Sequence, residues 1–106
     1  MIPRLAKEFP DDAVPEYFLF HDLRIDREYI LANRALDPDA AIRAYHGPVL
    51  LVQGTADTTV VPQDAYDAAE AYDNATLAVI EGDTHCYDYH LDEVVDAVKA
   101  FLGTLV

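Results

Sequence analysis

The chain of 106 residues contains no serine, so no Gly-x-Ser-x-Gly turn can form and no serine hydroxyl is available as a nucleophile. It has one cysteine, Cys86, which excludes an internal disulfide and leaves no Cys-x-x-Cys pair for metal or redox chemistry. A reducing compartment fits that usage. Positive charge is scarce, with 7 Lys+Arg against 20 Asp+Glu and a formal net charge of -13 at pH 7. Such a surface repels phosphate backbones and anionic headgroups, so neither nucleic acid nor membrane is expected as a partner. The acids read as a solvated face. No run approaches the roughly 18 consecutive apolar residues of a membrane helix, and the N-terminus has neither a basic nor an apolar signal region, so a cytoplasmic location is expected.

What is present is a core. At 52% hydrophobic the chain is too apolar to remain disordered, and its length suits one modest domain. Residues 1–46 hold the aromatic cluster Tyr17-Phe18-Leu19-Phe20 and little periodicity, and read as a partial lid or cap and a connector. Within them Asp26 can cap a helix carrying Tyr29, Ile30, Asn33 and Leu36 at three- and four-residue spacing, and Asp37-Pro38 opens a short helix through Tyr45. The aromatic cluster is expected to face a core. Gly47-Pro48 ends this segment. Residues 47–106 then alternate strand (49–53), helix (about 63–72), strand (76–81) and helix (about 90–102), which implies two parallel strands. The strands are unbroken apolar runs, so both sheet faces are expected to be covered. Leu91, Val94, Val95, Val98, Phe101 and Leu102 make the stripe with which the last helix should cover one of them.

Each strand ends in a glycine-led turn that carries a polar group. Gly54-Thr55-Ala56-Asp57 follows Val49-Leu50-Leu51-Val52, and Gly82-Asp83-Thr84-His85 follows Leu77-Ala78-Val79-Ile80. A carboxylate and an imidazole at the carboxyl ends of adjacent parallel strands lie where open α/β sheets bind ligands. Taken singly, either could be an ordinary turn residue.

The stretch Gly47 to Pro62 followed by Ala75 to Tyr87 resembles the C-terminal half of α/β-hydrolases, and within them the cinnamoyl and feruloyl esterase group of carboxylesterases. The resemblance implies an α/β fold made of the last two parallel strands and their helices, preceded by part of a helical lid, with an incomplete sheet. It implies that Asp57 is the triad acid and His85 the triad base of a serine esterase acting on a small-molecule ester. It implies no cofactor and no metal. The family's nucleophile has no counterpart here, so the chain is expected to be a C-terminal fragment whose strand at 49–53 has lost a neighbour and associates with itself through that edge.

Neighbouring residues have plainer readings. Asp64 belongs in the first turn of a helix, where the dipole favours a carboxylate. Asp83 is an adjacent acid that could be mistaken for the triad acid. Cys86 beside His85 suggests a thiol nucleophile, but adjacent residues seldom present their functional atoms to each other, and a buried small side chain is expected. His85, Cys86 and His90 form no paired metal motif, and His21, His46 and His90 read as surface or capping residues. Besides the esterase fragment, two readings remain: a non-catalytic binding domain derived from such an enzyme, and a thiol or metal activity at His85 and Cys86.

Overall fold

In a computed structural model the described residues are Phe9 and 13–106. The opening of the expected cap lies outside them. The chain divides into two compact units between Pro38 and Asp39, ahead of the expected boundary at 46/47.

The first unit contains a β-hairpin that the sequence did not announce. Strands β1 (Tyr17–Phe20) and β2 (Leu23–Asp26) pair antiparallel, from Tyr17 opposite Asp26 to Phe20 opposite Leu23. The two linking residues, His21 and Asp22, both have positive φ, 48° and 65°, as a type I′ turn requires. Asn-Gly or Asp-Gly would have signalled such a turn; His-Asp does not. The strand alternation also corrects the expectation of a core-facing aromatic cluster. Tyr17 and Leu19 stand on the exposed face, with the Arg24 guanidinium 4.3 Å over the Tyr17 ring, whereas Phe18 and Phe20 are half-buried. Helix α1 (Arg27–Arg34) follows and buries Ile30 completely. Asp26 stands at its N-cap position but makes no cap bond, because its carboxylate accepts from Arg24 Nε at 2.9 Å. The helix stops short of Leu36, since Ala35 and Leu36 donate back to Ala32 and Asn33 in a tightened final turn that leaves Leu36 exposed.

Helix α2 (Pro38–Ala44) opens on its proline, as expected. Strand β3 (Val49–Gly54), helix α3 (Pro62–Ala71), strand β4 (Ala75–Ile80) and helix α4 (Leu91–Gly103) complete the second unit. Strands β3 and β4 are parallel and in register from Val49 opposite Ala75 to Gly54 opposite Ile80. Val49 N–H donates to the Asn74 carbonyl at 3.0 Å and Thr55 N–H to the Ile80 carbonyl at 3.1 Å. The amide and carbonyl of one strand residue point to the same side, so the odd-numbered residues of β3 face β4 and Leu50, Val52 and Gly54 face the open edge.

Both helices α3 and α4 pack on these strands, but the sheet is not covered as its apolar runs suggested. Ala97, Ala100 and Phe101 of α4, and Thr104 just past its end, line a hollow with Leu50, Thr76 and Ala78. Leu91, Val95, Val98 and Leu102, expected against the sheet, form an exposed stripe instead, and Val79 of β4 is exposed as well. Helix α4 is apolar on two sides, with Ala97 and Phe101 half-buried and Leu91, Val95, Val98 and Leu102 exposed. Among the described residues the buried apolar side chains are Val14, Ile30 and Ile80.

Candidate functional site

The turn after β3 is shaped by a close approach. A Cβ on Gly54 would lie 2.4 Å from the Asp83 carbonyl oxygen, so only glycine allows the two strand-end turns to touch. Across that contact Ala56 N–H donates to the same Asp83 carbonyl at 2.9 Å, while Asp57 N–H closes its own turn onto the Gly54 carbonyl. The result is a buried carboxylate. Asp57 Oδ1 accepts from the backbone N–H groups of Thr59 at 2.9 Å and Val60 at 2.8 Å, and Oδ2 accepts from Gln53 Nε2 at 3.3 Å. Burial alone would raise the Asp57 pKa, but the Val60 amide, the His85 ring and the Thr59 amide outweigh it and hold the group below its ordinary value, so it is an anion at neutral pH.

The second turn brings the imidazole to that anion. Gly82 takes φ +76° and its N–H donates to Thr55 Oγ1 at 2.7 Å, which ties the start of the turn to the acid's own turn. His85 Nδ1 then lies 2.9 Å from Asp57 Oδ2. The two side chains differ sharply in exposure, 49% for His85 and 6% for Asp57. The carboxylate is thus enclosed, while the imidazole is half exposed. A carboxylate on Nδ1 selects the tautomer with its proton there, which leaves the Nε2 lone pair free to take a proton from a hydroxyl.

Three residues that sequence reasoning did not assign support this pair. Gln53, polar at the end of an apolar strand, is buried and bonds the Asp57 carboxylate, the Gly54 carbonyl (2.9 Å) and the Val60 carbonyl (3.4 Å). Its placement beside the turn glycine was the available signal. Asp83 has no exposed surface and accepts three backbone N–H groups. Tyr87, at φ 55°, donates its hydroxyl to the Val52 carbonyl at 2.8 Å. Burial, with the nearby charges of Asp57 and Asp83, raises its pKa, so the phenol stays protonated.

The remaining candidates fall elsewhere. Cys86 is exposed, which corrects the expectation of a buried thiol, and among the described residues no hydrogen bond joins it to His85. The turn carries it outward while His85 turns to Asp57. Among the described residues no three His, Cys, Asp or Glu side chains converge as a metal set. His90 stands at the N-cap position of α4 with its ring 3.0 Å from Glu93, His46 pairs with Asp73, and His21 is in the hairpin turn. Asp64 occupies the first turn of α3. Among the described residues no helix is long and apolar enough to cross a membrane.

No family model matches the sequence, and no curated protein matches it either. Solved structures do. Est1E from Butyrivibrio proteoclasticus is similar with a TM-score of 0.89 and 30% identity over 96% of this chain and 46% of its own. Est1E with ferulic acid bound is similar with a TM-score of 0.88 at 30% identity, over 96% of this chain and 44% of its own. The chain therefore spans about half the length of the structures it matches. Together with the parallel β3–α3–β4–α4 order, this likeness shows that the chain is the C-terminal half of an α/β-hydrolase fold with an incomplete sheet, resembling the cinnamoyl and feruloyl esterases.

Proposed function

We propose that Asp57 and His85 are the acid and the general base of a serine carboxylester hydrolase, acting with a serine hydroxyl that this chain does not contain. The observation that carries the reading is the 2.9 Å contact between His85 Nδ1 and a buried Asp57 carboxylate, with the imidazole half exposed. A hydroxyl is a weak nucleophile at neutral pH. His85 Nε2 takes its proton as the oxygen attacks the ester carbonyl, and Asp57 stabilises the imidazolium so formed. The proton then passes to the leaving alcohol, leaving an acyl-enzyme. Water repeats the sequence, with His85 as base and then as acid, to release the carboxylic acid. The ferulic acid bound to Est1E makes a hydroxycinnamoyl ester the substrate class to try first.

A chimera tests this reading, joining the part of Est1E that the chain does not match to residues 1–106. It should hydrolyse methyl ferulate, whereas the isolated chain should not. His85→Ala should abolish turnover, Asp57→Asn should lower it by about 10⁴, the scale seen for the acid of a serine protease, and Cys86→Ala should leave most of it. A folded chimera as active with His85→Ala as without it would refute the assignment. A second reading, a binding domain with no chemistry of its own, draws support from the exposed stripe Leu91, Val95, Val98 and Leu102. That reading expects an inert chimera.

A further inference from the structure

We infer that Asp83 is the positioning residue of the site, holding the His85 loop at the distance from the Asp57 turn that the Nδ1 contact requires. The inference rests on the reading of His85 as the base, but it concerns a residue outside the acid–base pair. Asp83 is fully buried, and each part of it is bonded to a different piece of the site. Its carbonyl accepts Ala56 N–H at 2.9 Å and sits against Gly54, so its main chain registers one turn on the other. Its carboxylate reaches forward across the loop. Oδ1 accepts from Thr84 N–H at 2.8 Å and Tyr89 N–H at 3.1 Å, and Oδ2 from His90 N–H at 3.0 Å.

Those donors bracket His85. Thr84 precedes it, while Tyr89 and His90 end the loop at the start of α4, so one carboxylate ties the loop's two ends together around the imidazole. The need for such a tie is visible in the backbone. Tyr87 holds a left-handed conformation at φ 55°, which a tyrosine adopts only when its surroundings enforce it. A buried carboxylate without partners would be costly, whereas one whose oxygens take three N–H groups is a rigid anionic anchor. Among the described residues no hydrogen bond or ion pair joins Asp83 to the His85 ring. It acts through the loop.

The test is NMR of the labelled 106-residue chain, read at the His85 ring. In the wild type His85 should be the single tautomer protonated at Nδ1, with a low-field Nδ1 proton from the bond to Asp57. Asp83→Ala should lose that resonance and show mixed tautomers, with β3 and α3 shifts kept. Asp83→Asn, which retains one acceptor oxygen, should restore part of the signal. Ile80→Val, a change in the buried core that weakens packing without touching the loop, should leave the His85 signature intact.

A folded Asp83→Ala chain with an unchanged tautomer would overturn the proposal, and so would loss of the signature in Ile80→Val. Should both Asp83 variants unfold, scalar coupling across the Tyr89 and His90 N–H bonds to the Asp83 carboxyl carbon decides it in the wild type, where absence of coupling refutes the anchor and its presence supports it. A wild-type chain without the Nδ1 resonance overturns the anchor and the acid–base pair together. An inert chimera with an intact, Asp83-dependent signature would instead sink only the esterase reading.

Discussion

The hydroxyl of Tyr87, in the loop after β4, donates to the main-chain carbonyl of Val52 in β3 at 2.8 Å. Val52 is one of the residues whose peptide groups face away from β4, so this bond fastens the histidine loop to the open edge of the sheet. Tyr87→Phe keeps the ring and removes the donor. It should destabilise the chain by about 1 kcal/mol, the net worth of one such bond plus the exposure of its acceptor. Urea unfolding, read as a lower midpoint at unchanged slope, checks it, and equal midpoints would show that the ring alone holds the loop.

Acid should unfold the chain in a predictable window. Asp57 and Asp83 both have folded pKa values below the ordinary 3.8, because burial, which opposes this, is outweighed by backbone N–H donors and, for Asp57, also by the His85 ring. The unfolded state therefore binds protons first. The stabilisation is complete above the unfolded pKa and disappears as the pH drops through the folded values. Unfolding free energy measured by denaturant should be flat in this contribution near neutrality and fall below about pH 4. Asp57→Asn should flatten part of that fall; a mutant with the full wild-type slope would contradict the assignment.

Two glycines should respond in opposite ways to alanine. At Gly54 the new methyl would meet the Asp83 carbonyl at 2.4 Å, a backbone atom that cannot swing aside. A loss of about 1–3 kcal/mol or more is expected from such overpacking. Gly103, the last residue of α4, has open space where a Cβ would stand, and Gly103→Ala should be neutral or stabilise by up to about 1 kcal/mol. Thermal melts of the two variants side by side decide the matter.

The isolated chain should associate with itself. An open edge on β3 and the exposed stripe Leu91, Val95, Val98 and Leu102 leave apolar surface and unpaired peptide groups in water. Size-exclusion chromatography with light scattering should show species larger than 11.8 kDa. The double variant Val95→Lys, Val98→Glu should shift the population toward monomer. A wild-type chain that stays monomeric at high concentration would mean that neither surface is adhesive.

Much of the second unit could be read from one dimension, because its signals are local. Apolar runs end at Gly54 and close to Gly82, Pro62 opens a helix, and the strand–helix–strand–helix rhythm makes β3 and β4 parallel. The same turns nominated Asp57 and His85. Chain pattern could not say which side of a two-sided apolar helix faces the sheet, and so misplaced the stripe on α4. Nor could it find the hairpin, whose turn uses His21 and Asp22 in backbone conformations their residue types rarely announce.

The amino-acid sequence by itself determined the elements of the β3–α3–β4–α4 portion, the absence of a serine, and the two residue types at the strand ends. Only the tertiary structure decided that His85 Nδ1 meets Asp57 Oδ2, that Cys86 turns outward, and that Asp83 and Gln53 are buried. The reason is geometric. Residue type sets which bonds a side chain can make, but partners far apart in sequence are chosen by the parallel pairing of the strands and by the close contact of Gly54 with Asp83.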